Sequence, residues 1–268
     1  SDSSAIEIYS TSDFTKQPFL LEVHKGFVYE VKFIGDNKLV SLGYDGIVNV
    51  YDVKSNKNIL STKLEGRAKA FDVSEDGNWL VVGTLDGRLI QLNLVTKKQK
   101  ELYKNPNGLP IHDVEISSGD FFIAFAGEDS NVYLWSVQND KIFRTLRGHT
   151  SRISDLEFSN DGNFLATAGF DNKVQLWNMF NLNNLPIQMA DNFGEYAWDV
   201  AFSNDDNHLI IGSQSGKIKK WVINSEQMAD ELCGHIKRNM SMDEWEMYVG
   251  NNIEFRNTCI SLLIEEIP

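Results

Sequence analysis

The chain has 268 residues, 42% of them apolar and 11% aromatic, which is enough for a sizeable core in one large domain or two small ones. A net charge of −13 argues against broad binding to nucleic acid or anionic lipid, and no apolar run is long enough to cross a bilayer. Two cysteines, Cys233 and Cys259, are too few for the disulfide framework of a secreted scaffold and point to a reducing cytoplasm, and the start, Ser1 to Ala5, lacks the basic end and apolar core of a signal peptide.

In chain order, Ala5 to Ser10 and Pro18 to Leu21 read as the two outer strands of a unit whose inner half is not in the sequence. Five fuller units follow. In each, an Asp or Ser in a loop sits six positions before a bulky residue that closes a strand: Asp45/Tyr51, Asp86/Leu92, Asp129/Trp135, Asp171/Trp177 and Ser215/Trp221. The loop residues are 41, 43, 42 and 44 positions apart, a period that marks propeller blades when the elements are strands.

The fourth unit, Gly148 to Asn178, is the clearest. Ile153, Leu156 and Phe158, then Leu165, Thr167 and Gly169, then Val174, Leu176 and Trp177 define three short alternating runs. Between the first two, Asp161-Gly162-Asn163 supplies the positive-φ residues of a tight hairpin turn. The same turn recurs as Ser74 to Asn78 and Ser203 to Asn207, and in shortened form at Ile34 to Lys38. After Trp221 the character changes: Ser225 to Leu232 holds helix formers, and Ser241 with Glu244 forms a capping-box pattern for a short helix from near Asp243 to near Gly250. Trp245 and Tyr248 would anchor that helix as a cap.

These features resemble the WD-repeat family of β-propellers: Gly148-His149, the turn Asp171 and the closing Trp177-Asn178, where the family usually has Trp-Asp. The resemblance covers roughly residues 5–225 and implies a buried hydrogen-bonded network of His149, Thr167, Asp171 and Trp177. The first unit keeps a variant in His24, Ser41, Asp45 and Tyr51, whereas the other three units lack the histidine. His24 and His149 are therefore expected to hold the fold and to take no part in catalysis or metal binding.

The expected fold is all-β: four-stranded antiparallel blades, five repeats plus a partial N-terminal blade, with a short C-terminal helical cap. A seven-bladed ring, the family's commonest size, needs roughly 60 more residues at this repeat length, so the chain reads as a C-terminal piece of a longer protein. A small ring closed by the apolar tail Ile260 to Ile264 is the alternative. The expected organisation is a propeller over 1–225 (partial blade 1–23, repeats near 24–63, 64–104, 105–146, 147–188 and 189–225) and a cap or tail over 226–268. The tail string Arg238-Asn239-Met240-Ser241, Glu244-Trp245, Tyr248, Gly250, Phe255-Arg256 and Thr258-Cys259 is similar to the segment that follows WD repeats in bacterial signalling proteins of the STAND type. That resemblance implies an upstream NTPase or caspase-like domain for which the propeller is the sensor.

The repeat also indicates which residues share the face where propellers usually take partners: Phe27, Tyr29 and Tyr44; Arg67, Lys69 and Leu85; Pro110, His112 and Glu128; Arg152, Ser154 and Phe170; Tyr196, Trp198 and Gln214. Aromatics beside arginine and lysine on an acidic body suit a protein or peptide partner, with an acidic segment as the refinement. No nucleic-acid or membrane partner is expected.

Enzyme motifs do not hold up. Gly212 to Lys217 has the outline of a phosphate loop, but one residue is lacking between its glycines and Ile218 stands where Ser or Thr must hold magnesium. Cys233, Cys259 and His235 are poor zinc spacing, and His112, Glu128 and Arg152 are the only titratable set near the channel. The expectation is a non-catalytic recognition module with no cofactor and no metal. A constitutive scaffold is the alternative, and a propeller enzyme the remote one.

Overall fold

Short runs of alternating β-branched, aromatic and polar residues, separated by turns that need left-handed backbone, can settle only as antiparallel hairpins. In a computed structural model, which describes residues 5–13, 15–189, 195–224, 227–228, 233–234, 238–248, 254–255 and 259, they do so. The first sheet pairs β1 (Ala5–Ile8) with β2 (Phe19–Glu22). Four four-stranded sheets follow, each in simple antiparallel order. They are β3 (Val28–Ile34), β4 (Lys38–Gly43), β5 (Ile47–Asp52) and β6 (Lys57–Lys63); β7 (Ala68–Val73), β8 (Trp79–Thr84), β9 (Arg88–Asn93) and β10 (Gln99–Lys104); β11 (Ile111–Ile116), β12 (Phe122–Gly127), β13 (Asn131–Ser136) and β14 (Lys141–Arg147); and β15 (Ile153–Phe158), β16 (Phe164–Gly169), β17 (Val174–Asn178) and β18 (Ile187–Met189). Among the described residues the last sheet has three strands: β19 (Ala197–Phe202), β20 (His208–Ser213) and β21 (Ile218–Val222).

The turn chemistry repeats with the strands. The residue after each loop Asp or Ser has positive φ: Gly46, Gly87, Ser130, Asn172 and Gly216. In the Ser-x-Asp-x-Asn turns the serine hydroxyl donates to the aspartate (Ser74 to Asp76 and Ser159 to Asp161, both 2.7 Å), while the asparagine amide closes the loop on the other oxygen.

The chain divides into two compact units, residues 1–201 with 211–218, and residues 202–210 with 219–268. In the first, each sheet buries one face on the next. Val40, Leu42, Val48, Val50 and Leu60 of one sheet meet Phe71, Leu80, Val82 and Leu92 of its neighbour. The innermost strands touch in succession, β3 with β7, β7 with β11 and β11 with β15. Each buried aliphatic or aromatic side chain is worth about 1.5–3 kcal/mol, so these sheet-to-sheet cores carry the stability. This is the packing of a β-propeller.

Carboxylates stitch the same seams. Glu30 accepts from the Phe71 amide at 2.8 Å, Asp113 from Leu156 at 2.7 Å and Asp155 from Val200 at 2.7 Å. At the seam between β7 and β11 the acceptor is shifted by two residues, and Asp72 takes the Ile116 amide at 2.7 Å.

The second unit holds a short helix, α1 (Met242–Tyr248), one residue earlier than expected; Gly250 and most of the helix-forming stretch before it lie outside the described residues. Its capping box is reciprocal: the Ser241 amide donates to Glu244 at 2.9 Å, and the Glu244 amide donates to the Ser241 hydroxyl at 3.3 Å. Trp245 is buried and meets Phe255 edge to face, while the Tyr248 side chain and the tail Ile260 to Ile264 lie outside the described residues. The cysteines correct the sequence reading. Cys233 and Cys259 are not the free thiols expected of a reducing compartment; they form a disulfide. Asn239 holds Cys259 in place by donating to its carbonyl and accepting from its amide, at 3.0 and 2.8 Å.

Candidate protein-binding face

The strand-start positions of the repeat place their side chains in three neighbouring groups, all within the first unit. In one, Phe27 and Tyr29 at the start of β3 surround Tyr44 from the following hairpin, at centroid distances of 6.3 and 6.1 Å. The Arg67 guanidinium lies 4.7 Å over the Tyr44 ring.

A second group is a relay across two sheets. The Lys69 ammonium donates to His112 Nδ1 at 3.0 Å, and His112 Nε2 donates to Glu128 at 2.7 Å. That chain needs a neutral imidazole. Burial pushes the His112 pKa down, against the pull of Glu128 and with the repulsion of Lys69 and Arg152. Lys69 is lowered too, by burial first and then by Arg152.

In the third group Arg152 stacks 3.7 Å from the Phe170 ring, and Phe170 stacks on Tyr196 at 4.6 Å and meets Trp198 edge-on at 5.0 Å. Phe27, Tyr29, Tyr44, Tyr196 and Trp198 are all exposed although each packs against another ring, the first three in one set and the last two on Phe170. Of the remaining strand-start positions, Ser154 is committed to the scaffold: its hydroxyl bonds the carbonyls of Ala168 and Ala197 at 3.1 and 2.7 Å.

Beneath this face lies the structural network. His149 Nδ1 meets Asp171 at 2.9 Å, His149 Nε2 meets the Thr167 hydroxyl at 2.9 Å, and the Trp177 indole N–H donates to the same hydroxyl at 3.2 Å. Gly169 leaves room for it, because a Cβ there would stand 2.6 Å from His149 Nδ1. In the first unit His24 reaches Asp45 at 3.1 Å and Ser41 at 2.8 Å. Tyr51 does not join them, contrary to the sequence reading. A phenol carries its polar group at the far tip of the ring, and that hydroxyl donates to Asn56 instead. Asn49, in the register of Gln175, approaches the imidazole instead, 3.4 Å from His24 Nε2, and donates to the Val23 carbonyl at 3.1 Å.

The units without histidine use substitutes of other residue types. Arg88 bonds Asp86 at 2.9 Å, Asn105 and Tyr133 bond Asp129 at 2.9 and 2.7 Å, and in the fifth unit the polarity reverses, with the Ser215 hydroxyl donating to Glu195 at 2.7 Å. A signal existed for one of them: Asn105 stands 44 positions before His149, close to one repeat period.

Among the described residues no group of three or more His, Cys, Asp or Glu is arranged to hold a metal ion, and no helix is long and apolar enough to cross a membrane.

Stacked antiparallel sheets with an aromatic, cationic rim define a β-propeller of the repeat-built kind. The family model described as "WD domain, G-beta repeat" matches residues 140–178 and 192–221. The chain is also similar to the WD repeat-containing protein AAC3 of Dictyostelium discoideum, 28% identical over 145 residues, which cover 52% of this chain and 30% of that protein. Fold and matches together support a WD-repeat domain.

Proposed function

We propose that the chain is a non-catalytic recognition module that holds an acidic protein or peptide segment against the face formed by Phe27, Tyr29, Tyr44, Arg67, Lys69, His112, Glu128, Arg152, Phe170, Tyr196 and Trp198. The observation that carries this is the stacking of Arg67 on the exposed Tyr44 ring and of Arg152 on the half-buried Phe170 ring, on a body of net charge −13. Rigid aromatics and planar guanidinium groups contribute most to protein interfaces, and stacking holds them in position before the partner arrives. Three cations against the one carboxylate of Glu128 favour a negative ligand.

Within a longer protein this module would act as a sensor coupled to an upstream NTPase or caspase-like domain. Support comes from the tail residues that carry the STAND resemblance, several of which interlock: Arg238 pairs with Glu244 through both guanidinium nitrogens at 2.7 and 2.8 Å, beside Ser241 and Trp245. A scaffold without sensing would bind through the same face but leave the attached activity unchanged.

The test is capture of partners by the chain and by an Arg67→Ala/Trp198→Ala variant, at low and moderate salt. Loss of the same partners with the variant, and their release by salt, is the expected result. Partners held equally by both proteins would remove the face from the proposal.

A further inference from the structure

Lys69, His112 and Glu128 form a relay whose direction is fixed by the donors in it. An ammonium can only donate, so the His112 Nδ1 that it reaches at 3.0 Å is a bare acceptor. The one ring proton then sits on Nε2, 2.7 Å from Glu128. Only the neutral imidazole makes both bonds. Protonation turns Nδ1 into a donor and sets two cations 3.0 Å apart, an arrangement that like charges do not keep. Of the two, the imidazole is the one that stays. Its side chain is only 10% exposed and its bond to Glu128 becomes charge-assisted, whereas Lys69 stands at the surface on a flexible four-carbon stem.

Four elements bring charge to the relay. β7 carries Lys69, β11 carries Asp113 next to His112, the β12–β13 hairpin carries Glu128, and the segment ahead of β15 carries Arg152. Asp113 is turned to the Leu156 amide, and Arg152 lies over the Phe170 ring. Burial is the largest influence on the ring and favours its neutral form; Glu128 opposes this, and Lys69 and Arg152 add to it. The relay is thus closed near neutral pH and opens in a range below the ordinary imidazole value of 6.5.

We propose that His112 is a proton-operated latch on Lys69, which makes the face hold an acidic ligand more tightly as pH falls. This rests on the reading of the face as an acidic-ligand site and adds its regulation. Closed, the relay carries no net charge, because Lys69 and Glu128 cancel across a neutral ring. Open, it carries one positive charge, Lys69 is free to meet the ligand, and Nδ1 has become a further donor. An anionic ligand in turn favours the protonated ring, so binding and proton uptake strengthen each other.

The probe is a rhodamine-labelled hexapeptide of cysteic acid, whose sulfonates stay ionised throughout. It is titrated into the full chain at pH 7.5 and pH 5, at constant ionic strength, and read by anisotropy. Affinity should be about fivefold higher at pH 5, the effect of one added charge a few ångströms from the ligand in water. His112→Gln keeps an acceptor for Lys69 and a donor for Glu128 but does not titrate, so it should remove most of that ratio. The remainder belongs to Asp113 and Glu30, which take up protons in the same range. Nitrogen NMR of the His112 ring reads the latch without ligand: Nδ1 should be bare at pH 7.5 and gain its proton below 6.5. A protonated Nδ1 at pH 7.5 overturns the latch and leaves the face standing. So does a pH ratio that His112→Gln leaves unchanged while Arg67→Ala weakens binding. No binding of the probe at either pH removes the acidic-ligand reading and the latch with it.

Discussion

The side chain of His149 is 1% exposed and that of Asp171 3%, so neither can turn to water when its partner is removed. Burial alone would raise the Asp171 pKa. The His149 imidazole and the amides of Thr150 and Lys173 outweigh it and hold the carboxylate below its usual value. His149→Ala should therefore cost about 1–3 kcal/mol, the usual penalty for a buried acceptor left short of a donor. His208→Ala is the control, since that imidazole opens β20 at 4.0 Å from a largely exposed Asp205. Urea denaturation of the two variants checks this, and equal costs would contradict it. Gln175 makes the opposite case. Fully buried, it has no partner among the described residues for either its amide nitrogen or its amide oxygen, whereas Asn49 in the same register bonds the Val23 carbonyl. Gln175→Leu should raise stability by about 1 kcal/mol, because an unpartnered buried amide is replaced by an apolar group of similar size. A lower denaturation midpoint would show that the amide is solvated in place. At this scale the sequence was legible where residue type and chemistry coincide, as for His149 and Thr167. It was opaque where only the role persists: Asn105, Arg88 and Glu195 do a histidine's or aspartate's work with no common residue type.

Among the elements, strands and turns were readable because a period of two and a left-handed turn residue are local properties of the chain. The disulfide was not readable. Cys233 and Cys259 are 26 positions apart, and the hydrogen bonds of Asn239 to Cys259 that help fix the loop cannot be inferred from composition. A bridge over a loop of that length restricts the unfolded segment by about 3 kcal/mol on chain-entropy grounds. Reduction should accordingly speed hydrogen exchange in α1 and its capping box and leave the exchange of β7 to β17 as it was. Mass spectrometry of the exchanged peptides with and without reductant distinguishes the two regions; identical exchange in α1 would mean that Arg238, Ser241 and Trp245 hold the helix unaided.

For the molecule as a whole, the repeat that builds the sheets also stacks acids. Asp113 and Asp155 recur at one period on successive inner strands, a coincidence visible in the spacing only once those strands are known to lie side by side. Burial, then the charge of Asp113, pushes the Glu30 pKa up to about 8, and burial raises Asp113 to about 6. Glu115 and Asp155 are also raised, by burial first and then by neighbouring carboxylates. Unfolded, such groups ionise near pH 4. Between about pH 4 and pH 8 the folded chain therefore holds more protons than the unfolded one, and stability must fall as pH rises through that window. The carboxylates held low, such as Asp45 and Asp171, act in the other sense, losing stability as pH falls below their unfolded range near 4. The two trends place the maximum near pH 4, with a decline of a few kcal/mol by pH 8, on the order of one kcal/mol per unit for each group in play. Denaturation midpoints at pH 5, 6.5 and 8 measure this directly. Glu30→Gln keeps an acceptor for the Phe71 amide and removes the titration, so it should flatten the decline. A midpoint that rises toward pH 8 would mean that these acids are charged in the folded chain, compensated by Lys32, which sits 3.6 Å from Glu115 and also pairs with Asp72.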